Sequence, residues 1–312
     1  MYYIEYGLGK KKMACLFAFC TIGACFGIGN MTQANSIALA VQSFGDIETT
    51  QIGIGLLVLT APVLFGGIKR IAVVNSYFVP FMAFFYLAVC VITLVSSDGK
   101  IGESLWLIFQ HAFGETAFYG GTIGYGVFAA MRYGLARGIF SNEAGLGSAP
   151  IAHSAANCTS AVQQGLWGIF EVAVTMVVCT LTALVVIQSG IWQGHNQLLG
   201  ADLAIAAFER GMLCGIGEKM VALATIFFAF SSILGWYYYG EQALRYLREG
   251  KAIMWSYKVL YCIAIYQGAC GDVAMIWELA DILNGLMALP NLVALIFLSK
   301  EIKKMTKEFF VS

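Results

Sequence analysis

Charge is scarce in this sequence. Only 12% of its 312 residues are Asp, Glu, Lys or Arg, against about 25% in soluble domains. The charge present balances, with 18 basic and 18 acidic residues, so no net field points to nucleic acid as a partner. The nine cysteines (15, 20, 25, 90, 158, 179, 214, 262 and 270) contain no CxxC pair and no metal-ligand spacing. Most lie in apolar runs, where a free thiol acts as a small hydrophobe. His111, His153 and His195 are scattered near predicted helix ends, so no metal site follows. No Ser-His-Asp, Cys-His, HExxH or Walker pattern appears, which removes the argument for a membrane enzyme or an ATP-driven pump. The opening MYYIEYGLGKKK does not read as a secretory signal peptide.

What is abundant is apolar side chain. Hydrophobic residues make up 59% of the chain, and the mean hydropathy is +0.77. Those values exclude disorder, collagen and coiled coil. They also exceed what an aqueous core can hide, so the class is an all-α integral membrane protein. Glycine is frequent at 35 residues and proline rare at four. Glycine-rich apolar helices pack closely in bilayers.

A membrane-spanning helix needs about 20 mostly apolar residues. Eight segments qualify: Met13–Val41, Ile52–Gly66, Ile71–Val95, Phe118–Tyr133, Ala161–Ile187, Met220–Tyr239, Trp255–Ala269 and Ala274–Leu298. The fourth, with Gly120, Gly121, Gly124 and Gly126, is the poorest helix by propensity. Leu105–Phe113 and Leu203–Phe208 read as surface or capping stretches. Short cytoplasmic loops collect Lys and Arg. With the N-terminus inside and eight crossings, every basic residue except Lys100, Arg210 and Lys219 falls on the inner side. Adding or dropping one helix spoils that partition. The expected topology therefore has both termini inside.

Polar groups within apolar spans mark functional candidates. In the first span Gly27, Asn30, Gln33 and Ser36 recur at spacing three, near one face. They fit either a ligand-facing stripe or helix–helix packing. In the sixth span Ser231 and Ser232 offer two hydroxyls for a desolvated cation, with Trp236 one turn on. The same hydroxyls could instead bond to their own helix. The run Phe118–Gly126 permits a broken helix whose peptide groups bind ions or carboxylates, or a close packing face. Ser141, Asn142, Glu143, Gly145, Gly147 and Pro150 form a structured inner loop, in which Glu143 is a gate or a cap. Glu171 lies within the fifth span, and Asp281 and Asn284 within the last, each able to pair across helices.

The segment RGIFSNEAGLGSAPIAHSAA (Arg137–Ala156) resembles the hallmark of the sodium:alanine (alanine/glycine:cation) symporter family. Agreement continues in FGIGNMTQANSIA from Phe26, FAFSSILGWYYYGE from Phe228 and ADILNGLMALPNLVAL from Ala280. The resemblance implies a leucine-transporter-like inverted-repeat fold in one transmembrane transporter domain, with these eight spans as core helices three to ten. It implies Asn30, Gln33, Gly120, Gly121, Gly124 and Trp236 as substrate contacts and Ser231 and Ser232 as sodium ligands. The implied activity is sodium-coupled symport of alanine, glycine or a similar small amino acid in the bacterial inner membrane. Family members carry a peripheral helix and core helices one and two ahead of the point matched by Met1. The fifth span also lacks the Asp-Thr pair usual after the Glu, having Glu171-Val-Ala-Val-Thr175. The alternative expectation is a truncated, non-transporting fragment of such a symporter.

Overall fold

The computed structural model describes residues 1–97, 100–113, 123–143, 145–193, 201–212 and 216–311, and among them every regular element is helical. A short π turn, Tyr3–Gly7, leads into α1, which runs through Lys11–Phe26, a π-helical turn Gly27–Met31, and Thr32–Gln42. The elements that follow are α2 Thr49–Phe65, α3 Ile68–Ser96, α4 Ile101–Phe113 and α5 Ile123–Asn142. Then come α6 Ala149–His153, α7 Ala161–Ser189, α8 Ala201–Gly211, α9 Gly217–Leu247, α10 Lys251–Cys270 and α11 Val273–Val311.

Seven of the eight expected segments fall on helices, and the fourth, Phe118–Tyr133, does so from Ile123, its earlier residues lying outside the described ones. Five helices (α1, α3, α7, α9 and α11) are long and apolar enough to cross a membrane. α2 is apolar but has only 17 residues. α5 and α10 have 20 residues each, a length of about 30 Å. Their apolar character is diluted by Arg132 and Arg137 in α5 and by Lys251, Lys258 and several tyrosines in α10.

The ends of these helices follow local chemistry. The Val162 amide donates to the Ser160 hydroxyl at 3.2 Å, capping the start of α7. α7 stops at Gly190, whose φ of +68° is the left-handed conformation that glycine adopts without strain.

Packing is organised around α9. It lies against both halves of α1, against α3 and against α8. α1 also contacts α10 and α11, and α2 is tied to α10. One core cluster is built on α1, α9, α10 and α11, with Phe17, Ile28, Ile37, Tyr237, Tyr261 and Ile265 buried. A second joins α3, α7, α8 and the first part of α9 around Val89, Leu184, Phe208 and Ala222. Phe208 shows that the 203–208 stretch is packed into the bundle.

Candidate functional site

The π turn in α1 carries the first polar stripe. A π turn misaligns the helical ladder and is frequent at functional sites. The carbonyl of Ile28 accepts the Thr32 hydroxyl at 2.7 Å and the Gln33 amide at 3.1 Å. Gln33 thus serves its own helix. Asn30 is fully buried, and its amide donates to the Tyr261 carbonyl at 2.8 Å. The Tyr261 hydroxyl donates to the carbonyls of Gly29 and Ile233, at 3.3 and 2.9 Å. One tyrosine of α10 therefore pins α1 to α9. The Asn30 side-chain oxygen is buried without a partner.

Gly29 brings the two predicted stripes together. A Cβ there would overlap Trp236, so the α1 backbone lies directly against that indole. Trp236 is buried and stands edge-on to Tyr239, ring centroids 5.3 Å apart. Asn30, Gly29 and Trp236 thus occupy one region of the bundle.

Ser231 faces another way. Its hydroxyl donates to the Phe228 carbonyl at 2.9 Å and lies 3.9 Å from the Met82 sulfur of α3. The first serine therefore makes the own-helix bond that sequence reasoning allowed. Its lone pairs remain open. The Asn75 amide of α3 donates to the Ser231 carbonyl at 3.5 Å, and the Asn75 side-chain oxygen is buried and unpartnered. Ser232 is half-buried.

The loop after α5 turns tightly at its described residues. Glu143, Gly145 and Gly147 have φ of +51°, +81° and +85°. The two glycines accept this freely, whereas a glutamate there is unusual. The Ser148 hydroxyl donates to the Glu143 carboxylate at 2.6 Å. The Asn291 amide of α11 donates to the Gly145 carbonyl at 2.7 Å, and the Tyr3 hydroxyl donates to the Asn291 oxygen. Leu146 is wholly buried. Burial, helped by the charge of Glu171, lifts the Glu143 carboxyl to about 7 against the bond from the Ser148 hydroxyl, which lowers it. A cavity of about 470 Å³ opens beside the loop, with Tyr3, Glu143, Glu171 and Asn291 in its wall. Glu171 meets His153 at 3.3 Å across this region. Ser141 lies 3.0 Å from the Cys179 sulfur, and the Asn142 amide donates to the Gly138 carbonyl at 2.9 Å.

Gly120 and Gly121 lie outside the described residues. Gly124 falls within α5. Arg137, assigned above to an inner segment, is paired with Asp281 of α11 and stacks on Trp277, 4.6 Å from the ring centroid. Sequence reasoning missed Asn75, Tyr261 and Asn291. The first and last are amides in apolar spans, a signal that was present. Tyr261 gave none, because tyrosine is common throughout the chain.

The family model described as the sodium:alanine symporter family matches residues 1–312. An uncharacterized transporter of Haemophilus influenzae is 42% identical, covering 99% of this chain and 68% of its own length. The sodium/alanine symporter AgcS of Methanococcus maripaludis is 40% identical over the same shares. The probable sodium/glutamine symporter GlnT of Bacillus subtilis is 34% identical, over 99% of this chain and 63% of its own. The chain thus spans about two thirds of the length of these relatives.

Proposed function

Since the chain belongs to the sodium:alanine symporter family, we propose that it moves a small amino acid, alanine or glycine, together with sodium across the bacterial inner membrane. The family is one of transporters, not enzymes. The observation that carries the reading is the family match along the whole chain. The eight helices are read as core helices three to ten of one leucine-transporter-like transporter domain, with both termini inside. The central place of α1 and α9 supports this, because those two would flank the substrate and ion sites.

In this reading Asn30, Gln33 and the glycines at 120, 121 and 124 contact the amino acid, and Trp236 limits its side chain. Asn30 suits the role because its oxygen is buried and unpaired. Burying such a group without a partner costs about 1–3 kcal/mol, which an ammonium group would relieve. Ser231 and Ser232 hold sodium. What supports this is that the Ser231 proton is engaged by Phe228, leaving its lone pairs free, while Asn75, bonded through its amide to the Ser231 carbonyl, has a buried oxygen without a partner. Two hydroxyls are too few for a hard cation, so further oxygens complete the shell. Coupling requires that each ligand bind one conformation better than another.

The test is uptake of labelled alanine, glycine and glutamine into proteoliposomes, with sodium or potassium outside. Alanine or glycine uptake is expected only with sodium. Equal uptake in potassium would remove the sodium assignment, and glutamine uptake alone would replace the substrate. Ser231→Ala and Ser232→Ala should each raise the half-saturating sodium concentration roughly tenfold, about 1.4 kcal/mol.

A further inference from the structure

A hollow of about 570 Å³ lies at the turn from α9 to α10, with Arg245, Glu249, Lys251, Trp255 and Lys258 in its wall. Its charges are not equally engaged. Arg245 is bonded to Glu241 at 2.6 Å. Neither Lys251 nor Lys258 has a carboxylate partner among the described residues. From Arg245 to Lys258 the chain carries four basic residues against the single acid Glu249, so the excess is positive. A second cavity, of about 440 Å³, lies farther along α2 and α10. Leu57, Ala61 and Phe65 line it on α2, and Val259, Ile263 and Tyr266 on α10. One strip joins the two: Lys251, Trp255, Lys258, Cys262 and Tyr266 recur three or four apart and so share a side of α10. At the junction the Lys258 ammonium sits over the Phe65 ring, 5.5 Å from its centroid, and Phe65 packs against Trp255, ring centroids 5.8 Å apart. Trp255, Phe65 and Ile263 are all exposed.

A cationic mouth over an apolar groove, about 12 Å long from Lys258 to Tyr266, matches a molecule that is anionic at one end and hydrocarbon behind. A free anion would leave the groove unfilled, and a neutral lipid would leave two ammonium groups without counter-charge. Basic pockets between membrane helices suit anionic headgroups, and tryptophan is enriched at the level where headgroups lie. We propose that the hollow and the groove form a site for one anionic phospholipid, with its phosphate at Lys251 and Lys258 and an acyl chain along α2 and α10. This rests on the reading of α2 and α10 as spans; it depends on neither the transported substrate nor the coupling ion.

Tryptophan quenching tests the site without relying on transport. The purified full chain is placed in phosphatidylcholine vesicles, and part of the lipid is replaced by phosphatidylglycerol or phosphatidylcholine whose acyl chains are brominated near the headgroup. The Trp255 contribution is the difference between the parent and Trp255→Phe. Phosphatidylglycerol should quench it at a smaller share of the lipid than phosphatidylcholine does. Lys251→Gln and Lys258→Gln should each lower that preference about fivefold, the scale of one lysine at an anionic surface. Lys303→Gln, on α11 and outside the hollow, should leave it unchanged. Inorganic phosphate should compete no better than chloride at equal ionic strength. Equal quenching by the two lipids, no effect of either lysine, an equal effect of Lys303→Gln, or competition by free phosphate would overturn the proposal. So would a Trp255 that stays unquenched while the other tryptophans respond, since protein would then cover the groove. If no tryptophan responds to either lipid, the reading of these helices as spans falls with it.

Discussion

α1, α9 and α10 on one side and α7 on the other are all apolar helices, yet they are built for different neighbours. In the most apolar stretch of α1, 56% of residues are buried, and in α9 50%; in α7 the share is 11%. The central helices approach through small residues and bond through side chains to distant carbonyls. Asn30 reaches Tyr261, and Asn35 reaches Gly268 and Gly271 at 3.3 and 3.2 Å. α7 turns Trp167, Ile169, Phe170 and Met176 outward, and the hydroxyls of Thr175 and Thr180 bond only to its own turns. Hydropathy is blind to this distinction. Buried polar cross-bonds and close glycines separate the central helices from one whose outer face is left exposed.

The sharpest way to break the contrast is to add a methyl group to each region. At Gly268 a Cβ would sit 2.6 Å from the Met31 Cα, against backbone that cannot rotate away. Gly268→Ala should destabilise by about 1–3 kcal/mol, read as a fall in Tm. At Gly165 in α7 nothing lies within 4 Å, so alanine there should leave Tm unchanged or raise it slightly. Equal falls would erase the difference between the regions.

Next in size is Tyr261→Phe, which leaves the Gly29 and Ile233 carbonyls without their hydroxyl donor. A loss of about 1–2 kcal/mol is expected. Thr180→Val in α7 should stay within about 0.5 kcal/mol. A smaller effect follows from pH at the inner loop. Glu143 is raised to about 7, chiefly by burial, with Glu171, Cys25 and Tyr239 near enough to share its field and Ser148 bonded to it. A raised carboxyl favours the fold while neutral. That advantage is whole below the ordinary carboxylate range and is lost as pH rises through 7. Glu143→Gln should therefore gain in Tm over the parent at pH 8 and show little gain at pH 5. The same gain at both values would mean that Glu143 does not titrate in this window. The smallest effect belongs to Ile169→Ala on the outer face of α7, within about 0.5 kcal/mol.

Much of the fold was legible. The apolar runs located the five helices long and apolar enough to cross a membrane, because a span must be continuous in sequence to satisfy its own backbone. The loop after α5 was legible too, since Gly145 and Gly147 stand where the chain turns through positive φ. The roles of individual polar groups were less so. Ser231 was a candidate ligand and a candidate own-helix donor at once, and only the structure shows that its proton goes to the Phe228 carbonyl. Arg137 looked like one more inner charge until α11 supplied Asp281.

The sequence by itself determined the helical membrane class, the places of the long apolar helices and the family, because hydropathy and motif are local properties of the chain. Tertiary structure alone decided which polar groups meet. Asn30 and Tyr261 are 231 residues apart, and Tyr3 and Asn291 are 288 apart. No spacing rule reaches across such distances, because helical periodicity says which face a side chain is on and nothing about which helix packs against that face.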